Sequence, residues 1–125
     1  MSASDYLENQ IANAVFNNDV GALPVAAVYT KLHIGDPGEA GTSNAAGETT
    51  RKVTSFGAAS GGVSTSDADI TWTNVSTSET YSHFSLWDHV SAGNCLGSGA
   101  LTSPQAVTAG NTFSILSGQL TATVT

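Results

Sequence analysis

The sequence predicts a mostly β fold: an antiparallel β-sandwich or barrel-like domain with one short N-terminal α-helix. Only 10% of the residues are charged, against about a quarter in an ordinary domain. The polar surface must therefore come from Ser, Thr, Asn and Gly, which suit strands and turns. After residue 24, short stretches alternate apolar and polar residues between glycine-containing turns, which is typical of antiparallel sheets. Helical periodicity is evident only near the N-terminus.

The chain length favours one domain. Its 125 residues fall in the commonest range of domain sizes, about 100 to 150 residues. We expect a single β-sandwich-like domain over residues 1–125, with an N-terminal helical extension at 1–20 and a β core at 25–125. Cys95 is the only cysteine, so packing and backbone pairing must hold the fold without an intramolecular disulfide.

The charge balance argues against two classes of partner. Three basic and ten acidic residues give a formal net charge of −7, which repels nucleic acid and anionic membrane surfaces. No stretch approaches the roughly 20 apolar residues that a membrane helix needs, and the polar, acidic N-terminus is unlike a signal peptide. We expect no nucleic-acid partner, no membrane partner, and synthesis in the cytoplasm followed by assembly.

One amphipathic helix is predicted near the N-terminus. Ser4 can cap it, and Asp5 and Glu8 favour the positive end of its dipole. Its apolar stripe contains Leu7, Ile11, Ala14 and Val15, and Asn17, Asn18 and Gly21 should end it. Because three turns are marginal for an isolated helix, this one must dock on something. It packs either against its own sheet or into a neighbouring subunit.

Seven strands are predicted in the rest of the chain. They are Val25–His33, Lys52–Phe56, Ala68–Thr73, Tyr81–Asp88, Asn94–Leu101, Thr112–Leu116 and Gln119–Val124. Tyr81–Asp88 should be the central strand, because Phe84 and Leu86 give it an apolar face. Ser55–Asp67, rich in Gly and Ser, is predicted to be a mobile loop. Gly35–Asn44 is predicted to be a long loop, and loops of this length in compact domains are usually functional or disordered.

The motifs that could support catalysis or metal binding each lack a requirement. Cys95 has the spacing of a nucleophile elbow between Gly93 and Gly97, but that motif needs a helix directly after it. A small buried side chain is the expected role of Cys95. The three histidines and the loop carboxylates show no spacing typical of a zinc or calcium site. We expect no enzyme activity, and no catalytic, cofactor-binding or metal-binding residues.

Four aromatic residues in two strand candidates leave two alternatives open. Trp72, Tyr81, Phe84 and Trp87 could lie together by cross-strand pairing. Their usual role is in the core. The alternative is an exposed aromatic platform that binds a glycan or a protein partner, because rigid aromatic side chains contribute much of the energy of an interface.

Five segments, in chain order, carry a resemblance to a known family. They are Met1–Asn9, Val28–Gly41, His83–Asp88, Ser98–Thr102 and Ala109–Phe113. Together they resemble small virion proteins of tailed bacteriophages, often labelled tail fibre or minor structural proteins. The resemblance implies a β-sandwich-like subunit that assembles symmetrically and has no catalytic residues to carry over. Related β-sandwich modules decorate phage heads as well as tails.

The expected function is therefore structural. The chain should be a virion protein, made in the host cytoplasm, that serves as a capsid decoration or tail-associated subunit. Its partners should be other virion proteins and further copies of itself; the alternative is an adhesin module of a tail fibre that binds a host receptor or surface glycan. The expected partner-binding residues lie on the helix and on the Gly35–Asn44 loop, because irregular segments cover partner surfaces well. They are Leu7, Ile11, Val15, Asp36, Pro37 and Glu39.

Overall fold

The chain folds as a mostly β structure with one helix. The computed structural model describes residues 2–19, 21–23 and 25–124, with 40% of the chain in strands and 9% in helix. The predicted fold class is confirmed. The described residues do not include Met1 and Val20, which end the predicted helical extension, or Thr125, which ends the predicted β core. In the described part, no helix has the length and apolar character needed to span a membrane.

The helix and strands follow one another with short connections in most places. The helix is α1 (Asp5–Val15). The strands are β1 (Ser2–Ala3), β2 (Val28–His33), β3 (Lys52–Thr54), β4 (Val63–Thr65), β5 (Ile70–Trp72), β6 (Glu79–Trp87), β7 (Cys95–Val107), β8 (Phe113–Ile115) and β9 (Thr121–Thr123).

Five strands form the main antiparallel sheet, in the order β1-β7-β6-β2-β3. β6 lies in the middle, as predicted for Tyr81–Asp88. Leu32 on β2 stands opposite Phe84 on β6, and Leu86 follows two residues later. Because directly opposite residues point to the same side and side chains alternate along a strand, these three share one face, and all three are buried.

The pair β5–β8 supplies the opposing apolar layer. Ile70 and Trp72 on β5 stand opposite Ile115 and Phe113 on β8, and all four are buried. Between them, the hydroxyls of Thr71 and Ser114 lie 2.9 Å apart on the exposed side. This alternation buries one face of the pair and leaves the other in water.

The core lies between the main sheet and the β5–β8 pair. Leu32, Phe84 and Leu86 belong to the same buried cluster as Trp72 and Phe113. Tyr81 meets Phe113 edge-to-face at 5.0 Å between ring centroids. Two layers packed face to face correspond to a sandwich-like arrangement. The described strands do not close into a barrel.

Two irregularities in the β6–β7 pairing set which side chains enter the core. Between the pairs Tyr81–Gln105 and His83–Ala100, β6 has one intervening residue and β7 has four. The three additional residues on β7 interrupt the regular alternation, and Tyr81 and Phe84, three positions apart on β6, both reach the core. A second shift separates Leu86 from Trp87.

The predicted Ser55–Asp67 loop is partly wrong, because it contains β4. Val63 and Ser64 pair with Thr123 and Ala122 of β9. This pairing joins residues about 60 positions apart, so no local pattern indicates it. The predicted strand at Asn94–Leu101 is also longer than expected, since β7 continues through Pro104 to Val107. Pro104 lies in an exposed stretch of β7, a position that strands allow for proline.

Candidate functional site

The predicted Gly35–Asn44 loop has a defined conformation. Asp36 Oδ1 accepts a hydrogen bond from Gly38 N at 2.9 Å, and Asn44 Nδ2 donates to the carbonyl of Asp36 at 2.9 Å. Ser43 N donates to the carbonyl of Pro37 at 3.0 Å. Pro37 is fully buried. These bonds close the loop on itself and leave the exposed side chains in fixed positions.

The loop lies directly against the main sheet at Gly41. Gly41 has a φ of +69°, and a Cβ placed there would lie 2.6 Å from Cys95 Sγ and 3.0 Å from Trp87 Cζ2. The first distance is shorter than real Cβ atoms show and the second is tighter than most, and a positive φ is costly for residues with a Cβ. Glycine is therefore required at this position.

A chain of buried polar groups lies on the face of the sheet that points away from the core. Trp87 Nε1 donates to Ser85 Oγ at 2.7 Å, and Ser85 Oγ lies 2.7 Å from His33 Nε2. His33 Nδ1 lies 2.9 Å from the carbonyl of Ser43 in the loop. Because a carbonyl only accepts, His33 carries its proton on Nδ1 and accepts from Ser85 through Nε2. Burial lowers the pKa of His33, which favours this neutral form.

The Ser85–His33 pair resembles a nucleophile and its base, but it has no access to a substrate. Both residues are 0% exposed. A nucleophile must reach a substrate carbonyl, and this hydroxyl is enclosed between the sheet and the loop. The pair instead fastens the loop to β2 and β6. Sequence patterns could not indicate it, because Ser85 and His33 are 52 residues apart.

Helix α1 begins beside the loop. Ser4 Oγ accepts from Leu7 N at 3.2 Å, as predicted for the cap, and donates to the carbonyl of Cys95 at 2.6 Å. Glu39 Oε2 accepts from Asp5 N at 3.2 Å. A shallow pocket of about 520 Å³ lies between helix and loop, with Trp87 in its lining. The two segments predicted to bind partners therefore lie side by side.

The two sides of α1 have different environments. Tyr6 and Leu7 pack against the core, and Gln10 Nε2 donates to the carbonyl of Ala22 at 2.6 Å. The start of the helix thus docks on its own sheet, one of the two alternatives. The opposite side, here called the α1 outer face, is exposed and consists of Asp5, Glu8, Ala12, Val15 and Phe16.

The structure separates the six predicted partner-binding residues into two groups. Val15 is 64% exposed, and Asp36 and Glu39 are also exposed. Leu7 and Ile11 are half-buried, and Pro37 is enclosed within the loop. Partner binding by all six stays a prediction. Phe16, which is 87% exposed, was not among the predicted residues. Its position directly after the apolar stripe of the helix was the sequence feature that could have indicated it.

The remaining sequence candidates do not converge on a site. Cys95 is buried, with burial raising the pKa of its thiol, and it begins a strand rather than preceding a helix. His89 Nδ1 lies 2.7 Å from Asp88 Oδ1, and His83 Nδ1 lies 2.8 Å from Ser82 Oγ. Residues 2–19, 21–23 and 25–124 contain no cluster of three His, Cys, Asp or Glu side chains suited to a metal.

The four aromatic residues form no exposed platform: Trp72, Tyr81 and Phe84 belong to the core, and Trp87 lies under the loop on the other face of the main sheet. Their predicted grouping across adjacent strands is wrong, because β5 pairs with β8 and not with β6. Trp72 instead lies 5.8 Å from Phe113 between ring centroids. All four are buried.

Comparison with known proteins gives one family. A search of curated proteins found no match. The family model described as "Podophage GP4 fiber I protein gp80" matches residues 2–123, which is nearly the whole chain. The predicted resemblance to small virion proteins of tailed phages is confirmed. The chain belongs to this podophage fibre family and is a virion protein.

Proposed function

We propose that the chain is a tail-associated structural subunit that attaches to another virion protein through the α1 outer face. The proposal rests on the exposure of Phe16. This residue is 87% exposed at the end of a helix whose other side packs against the core of the chain. Membership of a fibre family favours a tail position over capsid decoration.

The energetics of Phe16 and Val15 support an interface. Covering a side chain of this kind contributes about 1.5 to 3 kcal/mol. Neither residue helps the isolated chain in this way, since both remain in water. Aromatic anchors of this type dominate binding energy when a partner encloses them.

The charges at the other end of the surface indicate the character of the partner. Asp5 and Glu8 on the first turn, with Glu39 on the adjoining loop, give this end a negative potential. Within the described residues, none of these three forms an ion pair. A partner with an apolar pocket and basic residues beside it complements the surface.

The proposal extends to mechanism and assembly. The chain has a structural role without a catalytic step, because its Ser85–His33 pair and the thiol of Cys95 are buried and have no access to a substrate. We infer that it functions as one folding unit whose α1 outer face and exposed loop residues, Asp36 and Glu39, form a continuous docking region. Assembly with further copies of the chain is part of this proposal.

The test is incorporation into phage particles. A phage carrying Val15→Ser with Phe16→Ser should lose at least about tenfold of the protein from purified particles, corresponding to roughly 1.4 kcal/mol or more of interface energy. The purified variant should retain the circular dichroism spectrum and urea midpoint of the wild type. Unchanged incorporation would contradict the proposal.

The matched control is Val90→Ser with Leu116→Ser. These two apolar residues are also exposed but lie on other surfaces. The control should incorporate normally. Equal loss from both double variants would indicate a general effect of removing surface apolar groups and would overturn the assignment to α1.

A further inference from the structure

The face of the main sheet that points away from the core carries a compact group of basic and aromatic side chains. Tyr29 on β2 stands opposite Val53 on β3 and opposite Trp87 on β6, so the three form a row across the sheet. Lys31, two residues after Tyr29, lies on the same face. Val53 is 66% exposed, and Tyr29 and Lys31 are half-buried.

Arg51 is fixed over this row. Its guanidinium carbon lies 3.9 Å from the centroid of the Trp87 ring. Its Nη1 donates to the carbonyls of His89 at 3.0 Å and Ala92 at 2.6 Å. Nε and Nη2 have no acceptor among the described hydrogen bonds. The edge they form is the one with which arginine grips a carboxylate or phosphate through two parallel bonds.

The two basic groups lie near each other without a carboxylate to pair with either. In the described part of the chain, neither Lys31 nor Arg51 forms an ion pair. Burial lowers the pKa of Lys31, and the charge of Arg51 lowers it further. Burial also lowers the pKa of Arg51. Lys31 and Arg51 share one face, and a bound anion would offset the charge of both.

The acidic side chain of Asp88 is already engaged. Asp88 lies close enough to raise the pKa of Arg51 in part. Its carboxylate, however, accepts from Asn94 N at 2.7 Å and Asn94 Nδ2 at 3.1 Å, and lies 2.7 Å from His89 Nδ1. It therefore offsets some of the local charge without occupying the open edge of Arg51.

We propose that Arg51 and Lys31 bind one anionic group, a phosphate or a carboxylate, carried by a sugar that lies over Tyr29 and Val53. A single charge suits the site, because the net charge of −7 repels polyanions. The exposed aliphatic and aromatic surface beside the cations suits the apolar face of a sugar ring. The site uses no residue of the α1 outer face and neither Asp36 nor Glu39, so its residues differ from those of the proposed attachment.

The test is a titration of the 15N-labelled full chain followed by NMR at constant ionic strength. The probes are inorganic phosphate, glucose 6-phosphate, glucuronate and uncharged glucose. We expect saturable shifts of the Arg51 Nε and Trp87 Nε1 proton resonances, with a dissociation constant of about 1 mM for the charged sugars. Glucose 6-phosphate should bind at least about threefold more tightly than inorganic phosphate, because only it contacts Tyr29.

The comparison of phosphate with carboxylate identifies the source of the anion. Tighter binding of glucose 6-phosphate assigns a phosphorylated sugar, and tighter binding of glucuronate assigns an acidic one. Absence of saturable shifts with every charged probe overturns the proposal. Equal binding of inorganic phosphate and both charged sugars overturns the role of Tyr29 and Val53.

Two variants that each remove one positive charge distinguish binding at a defined site from a general electrostatic effect. Lys31→Gln should weaken binding by about tenfold, as expected for loss of a charged partner. Lys52→Gln removes the same charge, but Lys52 stands opposite Thr30 and so points to the other side of the sheet. Lys52→Gln should leave the affinity within about twofold. Equal losses in both variants contradict a defined site.

Discussion

At the scale of single residues, the contact between the loop and the sheet depends on Gly41. The backbone there lies so close to Cys95 and Trp87 that a methyl group has no space, and its φ of +69° disfavours any side chain. Trp87 also donates to Ser85, which lies 2.7 Å from His33. A change at Gly41 should therefore disturb the same groups that fasten the loop.

We predict that Gly41→Ala lowers the free energy of unfolding by about 2 to 4 kcal/mol, from left-handed backbone strain and overpacking combined. Urea denaturation measures it. Gly61→Ala is the matched control, because Gly61 has a φ of +61° and nothing within 4 Å of the added Cβ. The control should lower the free energy of unfolding only by the cost of the backbone strain, about 1 to 2 kcal/mol. Equal losses in the two variants would show that the close approach at Gly41 has no energetic consequence.

At the scale of elements, α1 is held mainly at its first turn. Ser4 caps the helix and also bonds to the carbonyl of Cys95, so one hydroxyl joins the start of α1 to the start of β7. The end of the helix, by contrast, presents Val15 and Phe16 to water. Losing the cap should free the whole helix, whereas changes at its end should leave the fold intact.

We predict that Ser4→Ala costs about 1 to 2 kcal/mol of stability, because it removes a cap and leaves a buried carbonyl without its partner. Hydrogen exchange should show faster exchange of α1 amides, with those of β6 little changed. Ser2→Ala is the control, since Ser2 is exposed and its hydroxyl bonds only to the carbonyl of the adjacent Ala3. A Ser4→Ala variant as stable as Ser2→Ala would contradict the role of Ser4 in holding the start of α1.

Local patterns predicted the elements with local causes and missed those that depend on distant pairing. Alternation identified β6 as the central strand, and the cap at Ser4 followed from residue type. β4 was missed because its partner, β9, comes about 60 residues later. The Arg51–Trp87 contact was missed for the same reason, since only the register of β2 with β3 and β6 brings the two together.

At the scale of the whole molecule, stability should depend on pH through His33. Burial lowers the pKa of this histidine in the folded state, below its ordinary value of about 6.5. Below pH 6.5 the unfolded chain therefore binds a proton that the folded chain resists. The contribution of neutral His33 is complete above that pH and is lost as the pH falls.

We predict that the midpoint of urea denaturation decreases as the pH is lowered from 7.5 to 5. His33→Gln should reduce this dependence on pH, and it should also lower the stability at pH 7.5. His83→Gln is the control, because His83 stands opposite His33 but makes the smallest of the contributions that lower the pKa of His33. It should retain the dependence of the wild type. A pH profile unchanged by His33→Gln would contradict a buried neutral histidine.

The irregular stretch of β7 has a consequence for behaviour at high concentration. From Gly99 to Val107 this strand has no second partner strand among the described residues, and it carries no charged side chain to discourage one. Lysine commonly protects such edges, but this chain has only two lysines. Pro104 lacks an amide proton, and the four-residue excursion opposite Ser82 interrupts the ladder. An incoming strand therefore meets no straight edge to extend along this stretch of β7, so β7 is a poor template for open-ended sheets.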